Sequence, residues 1–247
     1  MRAEFETYHP QEAGEPPVSA EARPVEPEIL EKTIAVGDQD AKHLIHCLTI
    51  IGQVEGHYVL EPQHKTTKYE HIIPALVAIE QDRSVEGLLV ILNTVGGDVE
   101  AGLALAELIA GMQTPTVSLV VGGGHSIGVP LSCCAKRSYI VPSASMTIHP
   151  VRMNGMMLGV PQSLRYIDRM QDRIVDFVVR NSKMQEKTLR SLMMNTKELA
   201  TDVGSVLSGE QAVEAGLIDQ IGSLSDALEG LYTLIEAAPP RYPDAQI

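Results

Sequence analysis

Apolar runs that stop abruptly at glycines place the tightest restriction on how this chain can fold. From Gly87 to Pro150 it reads Gly87-Leu-Leu-Val-Ile-Leu-Asn-Thr94, then Val95-Gly96-Gly97-Asp98, then Gly122-Gly-Gly-His-Ser126-Ile-Gly128, then Met146-Thr-Ile-His149-Pro150. Each apolar run has the length and boundaries of a short buried strand. Glycines at a strand's end let the backbone come close to a substrate. Ser126 sits inside Gly-x-Ser-x-Gly and is expected to start a helix, where free amides and the helix dipole favour negative charge. A nucleophile, a base and amide donors for an oxyanion are the parts of a serine hydrolase.

The flanking sequence fits an α/β or mixed layered fold. Leu44–Ile51 is an expected strand closed by Gly52, and Glu55–Lys68 is polar and expected to be a loop. Tyr69–Gln81 has the spacing of an amphipathic helix through Ile72, Ile73, Leu76, Val77 and Ile79. After the strand Gly87–Thr94, Asp98 is an expected N-cap for a helix through Met112. Thr116–Val121, Ser138–Val141 and Met146–His149 are expected strands, and Ser126–Ala135 a short apolar helix. Pro161 suits the first turn of a helix running to Asn181, whose stripe Ile167, Met170, Ile174, Phe177, Val178 could serve the core or a neighbouring subunit. Gln185–Asn195, Gly209–Ala215 and Ser223–Ala237 are further expected helices.

Three domain assignments follow: an acidic, proline-rich tail at 1–33, a folded domain at 34–237 and a short tail at 238–247. Met1–Lys32 carries eight acids, three bases and five prolines, too little apolar matter to fold alone. At 247 residues and 44% hydrophobic, with no tryptophan and two phenylalanines, the chain can bury one large aliphatic core. A net charge of −13 argues against nucleic acid and against anionic lipid as partners. Cys47 and the adjacent pair Cys133-Cys134 suit no secreted disulfide framework and point to a reducing compartment. Met1–Ala20 lacks the pattern of a signal peptide and no apolar run approaches a membrane span, so a cytoplasmic location is expected. His43, His46, His57, His64 and His71 have no cysteine or carboxylate partners at a recognised ligand spacing, so neither metal nor other cofactor is expected.

Serine needs a base to take its proton, and His149 is the only histidine after Ser126. His125 is adjacent to Ser126, and neighbours on a turn usually point apart. Ile127–Ile148 contains no Asp or Glu and no histidine follows His149, so the α/β-hydrolase order of serine, acid, histidine is impossible. Any triad must draw a later carboxylate, from Asp168, Asp172, Asp176, Glu186, Glu198, Asp202, Glu210, Glu214 or Asp219.

With these motifs in their order, the chain resembles the ClpP peptidases, and within them the translocation-enhancing (TepA) branch. The resemblance covers about Leu44–Leu234. It is carried by Gly52-Gln-Val-Glu55, Asn93–Gly102, Gly122–Gly128, Val141-Pro142, Thr147–Pro150 and Leu207–Asp219. Marks of the branch are Lys65-Thr-Thr-Lys-Tyr-Glu-His71, Gly97-Asp98 and Gly-Gly-Gly-His-Ser-Ile-Gly. The resemblance implies a ClpP/crotonase-like spiral of strand–helix units with a projecting handle helix at Pro161–Asn181. It implies a serine peptidase acting on peptides or unfolded proteins inside homo-oligomeric rings. Ser126 matches the nucleophile, His149 the base, and Gly97 and Ile127 the oxyanion amides.

The chain departs from that pattern in three places. The position matched to the family's aspartate is Gly204, and Asp202 is the nearest substitute. The N-terminal region and the insertion in Glu55–Lys68 differ from the family, and no aromatic surface for an unfoldase is evident. There is no Gly-x-x-x-x-Gly-Lys-Ser/Thr, so any ATP dependence would come from a partner. Two other functions stay open: a crotonase-like acyl-thioester enzyme, and a non-catalytic or weakly active scaffold assisting protein export.

Overall fold

Parallel strands covered on both faces account for the continuous apolar runs. The computed structural model describes residues 33–36, 42–153, 159–197 and 203–239. The tails expected at 1–33 and 238–247 therefore fall almost entirely outside the described residues. In chain order the elements are β1 (Thr33–Val36), β2 (Ile45–Glu55), β3 (Thr66–Lys68), α1 (Tyr69–Gln81), β4 (Gly87–Gly97) and α2 (Val99–Gly111). There follow β5 (Thr116–Gly124), α3 (Gly128–Ser132), β6 (Arg137–Ile140), β7 (Ser145–Ile148), α4 (Val160–Asn181) and α5 (Glu186–Met193). The last are β8 (Ser205–Ser208), α6 (Gly209–Glu214), β9 (Gln220–Ile221) and α7 (Leu224–Ala237).

The strands run β1-β2-β4-β5-β6-β9, with β3 beside β2 and with β7 branching from β5 to reach β8. All pairings are parallel except β1 with β2 and β7 with β8. Along β4, Leu88, Val90 and Leu92 enter the larger core, beneath Leu76 and Ile79 of α1 and Leu105 and Ile109 of α2. On the opposite face Leu89 joins Ile45, Val117, Leu119 and Tyr139 under Ala227 and Leu231 of α7. A strand with two buried faces needs apolar residues at every position, which is the pattern of Gly87–Leu92.

Local signals set the helix ends. The Asp98 carboxylate accepts from the Ala101 amide at 2.8 Å and caps α2. Ser208 and Ser223 form capping boxes with Gln211 and Asp226 at the starts of α6 and α7. Pro161 lies in the first turn of α4. The later part of α4 buries Met170, Val175, Phe177 and Val178, while Val160, Leu164 and Tyr166 near its start are exposed. Arg173 and Arg180 reach across to Glu100 and Glu107 of α2, in exposed ion pairs that add little stability.

Four strands have no separate signature in the sequence. β3 lies in a stretch expected to be a loop, but Thr67 Oγ1 accepts from the Ile51 amide and donates to the Ile51 carbonyl, each at 2.9 Å, and so joins β3 to β2. β1, β8 and β9 are defined by distant partners rather than by their own composition. The helix expected over Ser126–Ala135 is confined to Gly128–Ser132; its start is delayed because Ser126 takes a left-handed backbone with φ 58°. No described helix is long and apolar enough to cross a membrane.

Two predictions follow from the burial. Phe177 is fully enclosed, so Phe177→Ala should lower unfolding free energy by about 3–5 kcal/mol in urea titrations. His46 is half-buried on β2, its Nδ1 has no partner among the described residues, and burial holds its pKa below 6.5, against a smaller opposing pull from Asp82. The folded state therefore binds fewer protons than the unfolded chain. His46 supports the fold fully above about pH 6.5 and progressively less as pH falls through its folded pKa. His46→Gln should flatten the fall in urea midpoint between about pH 7 and pH 5; an unchanged slope would discount that role.

Candidate active site

The site is built where β4 runs out of side chains. Gly96 and Gly97 have φ of 95° and 149°, values that suit glycine. A Cβ on Gly97 would strike the Val54 carbonyl oxygen of β2, and one on Gly96 would lie 2.6 Å from Ser126 Cβ. The next amide, that of Asp98, donates to the Val54 carbonyl at 2.9 Å. Gly97 lies between that bond and Gly96, whose backbone closes on Ser126.

Ser126 stands on a sharp turn between β5 and α3. Among the described residues it is the one non-glycine with positive φ. Such a conformation costs on the order of 1–3 kcal/mol and persists only where neighbours hold it. Here the His125 amide donates to the Thr94 carbonyl at 3.2 Å and the Ser126 amide to the Thr147 carbonyl at 2.9 Å. The amides of Gly128 and Val129 then donate to the carbonyls of His125 and Ser126, at 2.8 and 2.9 Å, and start the helix. Ile127 is buried, its side chain filling the space that Gly102 of α2 leaves by lacking a Cβ. Its amide has no acceptor among the described residues.

Thr147 lies two positions before His149, so the same strand end carries the serine's anchor and the candidate base. The His149 ring makes one hydrogen bond among the described residues: Nδ1 lies 2.7 Å from the carbonyl oxygen of Pro150. An oxygen acceptor there requires the proton on Nδ1 and leaves Nε2 as the basic nitrogen. Gly204, the position matched to the family's aspartate, packs directly on this residue. With φ 140°, a Cβ there would lie 2.5 Å from the Ile148 carbonyl oxygen and 2.9 Å from His149 Cβ. That position is closed to any side chain. Asp202, the expected substitute, lies outside the described residues, as does Glu198. Other candidate acids are engaged elsewhere: Asp219 with Ser138 and Lys183, and Asp172 and Glu186 with Arg190.

His125, set aside from sequence as a mere neighbour, occupies a defined place. Its Nδ1 lies 2.8 Å from Thr147 Oγ1, and burial pushes its pKa below the usual histidine value. The Pro150 carbonyl likewise has no signature in the sequence, since any residue would supply one. Among the described residues, His43 lies against Glu86 and Tyr232, and His57 against Tyr69.

A buried parallel sheet that delivers a strained serine and, two residues past its anchor, a histidine has close relatives. The Clp protease family model matches residues 42–224. A translocation-enhancing protein, TepA, of Halalkalibacterium halodurans is 51% identical over 223 residues, covering 89% of this chain and 87% of that protein. The proteolytic subunit 1 of the ATP-dependent Clp protease of Chlamydia muridarum is 29% identical over 140 residues, covering 54% of this chain and 69% of that subunit. Its counterpart in Chlamydia trachomatis serovar D is 28% identical over 155 residues, covering 60% and 77%. The chain belongs to the Clp protease family.

Proposed function

We propose that this protein is a serine endopeptidase that cleaves peptides or unfolded chains through an acyl-enzyme. Ser126 Oγ attacks the scissile carbonyl and its proton passes to His149 Nε2. The amides of Gly97 and Ile127 receive the oxyanion. His149 then gives the proton to the leaving amine, and water, deprotonated by the same imidazole, hydrolyses the ester. The observation that carries this reading is the Ser126 turn: a strained backbone held by two neighbouring strands, beside a strand end stripped of side chains. No step needs a metal or an organic cofactor.

The proposal extends to setting. Family membership supports a homo-oligomer, with a ring as the proposed form and the exposed start of α4 as a contact between subunits. The likeness to a translocation-enhancing protein supports a role linked to protein export, and the proposed setting is the cytoplasm. A second reading, a weakly active or inactive scaffold in the same process, is favoured by one observation. His149 is oriented by a backbone carbonyl, where a carboxylate would also stabilise the imidazolium.

Labelling with a fluorophosphonate, with the modified peptide identified by mass spectrometry, separates the two readings. The peptidase reading expects covalent modification at Ser126. It also expects Ser126→Ala and His149→Ala each to lower peptide hydrolysis by at least about a thousandfold, without additivity in the double variant. Unlabelled Ser126 in a natively assembled sample would leave the scaffold. The proposed third member is Asp202. Loss of up to about ten-thousandfold in turnover in Asp202→Asn would place its carboxylate on the imidazole in the working enzyme. Unchanged turnover would leave the Pro150 carbonyl as the orienting group.

A further inference from the structure

The triple glycine before His125 is more than a flexible approach to the nucleophile. Each glycine makes room for one side chain. A Cβ on Gly122 would lie 2.5 Å from Asn93 Oδ1, which accepts from the Gly123 amide at 2.9 Å. A Cβ on Gly123 would lie 2.5 Å from His125 Nε2 and 2.6 Å from its Cδ2. A Cβ on Gly124 would lie 2.9 Å from Ser132 Oγ, which donates to the Gly128 carbonyl. The His125 ring is therefore seated over Gly123, and no other residue at 123 would leave that seat open.

From this seat the ring meets Thr147, which is tied to the turn twice. Its carbonyl accepts from the Ser126 amide at 2.9 Å and its hydroxyl meets His125 Nδ1 at 2.8 Å. Without the side-chain bond the turn would keep only its backbone bonds, to the Thr94 and Thr147 carbonyls. Two bonds to one residue, from adjacent positions of the turn, fix both its distance from β7 and its rotation. Side chains two apart on a strand share a face, so the face of Thr147 continues into His149. The strand is in turn held by β8, with Thr147 opposite Val206.

We propose that His125 is a positioning residue: seated over Gly123 and bonded to the Thr147 hydroxyl, it sets the alignment of Ser126 with His149. It touches no reacting atom. This inference rests on the serine-peptidase reading, which supplies the alignment with its purpose. It also assigns a role to a histidine that the acyl-enzyme steps leave unused.

The test combines reactivity with local dynamics in the full-length assembled protein. The reactivity measured is the rate of fluorophosphonate reaction at Ser126. His125→Leu fills the seat without a hydrogen bond, and Thr147→Val removes the hydroxyl while keeping the shape. Each should slow labelling by about tenfold to a hundredfold. The double variant should be no slower than the worse single one, since both break one bond. In peptide hydrolysis kcat should fall with KM nearly unchanged. His125→Asn, whose amide can reach the place of Nδ1, should restore labelling to within a few-fold of wild type. Labelling in His125→Leu at the wild-type rate, or additive losses in the double variant, would overturn the inference and leave the peptidase standing. Should wild-type Ser126 fail to label, the peptidase reading falls, and amide hydrogen exchange still judges the clamp. Faster exchange across 122–129 and 145–149 in His125→Leu, reversed in His125→Asn, would sustain it, and unaltered exchange would overturn it.

Discussion

The burial of β4 on both faces is the constraint on which the rest depends. Leu88, Val90 and Leu92 belong to one core and Leu89 to the other. A slip of one residue against β2 or β5 would exchange these sets and misplace every side chain. The registers Leu48 with Val90 and Leu92 with Val120 are thereby fixed by packing that lies well away from the site. The strand must then end at one place, and there the sequence supplies Thr94, Val95, Gly96 and Gly97. Thr94 Oγ1 donates to the Gly52 carbonyl at 2.6 Å and accepts from the Gly96 amide at 3.1 Å, bridging the register shift beyond which the ladder runs on to Gly97.

From that end the site follows by steric necessity. Ser126 Cβ comes so near Gly96 that a side chain there would displace it. The turn cannot relax into a helix, because the Ser126 amide is committed to Thr147 and the His125 amide to Thr94. The strain in φ at Ser126 is thus balanced by bonds to two separate strands, each anchored in the core. A loop held only by itself would have released it.

Much of this could be read in the sequence, for reasons that differ by element. Tyr69–Gln81 and α4 were legible because helix periodicity and a proline in the first turn are local signals. Asp98 was legible as a cap because capping is decided within four residues. Gly87–Thr94 was legible as a strand, but its continuation to Gly97 was not, since glycines carry no strand signature and the pairing with Val54 supplies the reason. β3, β8 and β9 were hidden for the same reason: their partners lie far away in the chain. In the candidate site, Ser126, His149, Gly97 and Ile127 could be named from motif order. The Ser126 conformation, the carbonyl of Pro150 and the place of His125 could not, because each depends on what the fold brings opposite. Asp202 stays an expectation from sequence.

Gly204 shows why a family pattern must be carried over atom by atom. The matched position is not an acid that has been lost from an otherwise open site. Its Cα faces His149 Cβ so closely that any side chain would press on the base it was meant to support. Restoring an aspartate at 204 would therefore have to move β8 away from β7, undoing the pairing of Ile148 with Ser205. A carboxylate for this imidazole has to come from elsewhere in the chain, or the ring must rely on the carbonyl it already has. A carbonyl oxygen can fix the tautomer, as a carboxylate does, but it carries no full charge with which to stabilise the imidazolium. Without a carboxylate, orientation at His149 would survive while transition-state stabilisation falls. Such a site would turn over slowly but remain chemically competent, which places the peptidase and the weakly active scaffold on one scale, separated by the charge beside a single ring.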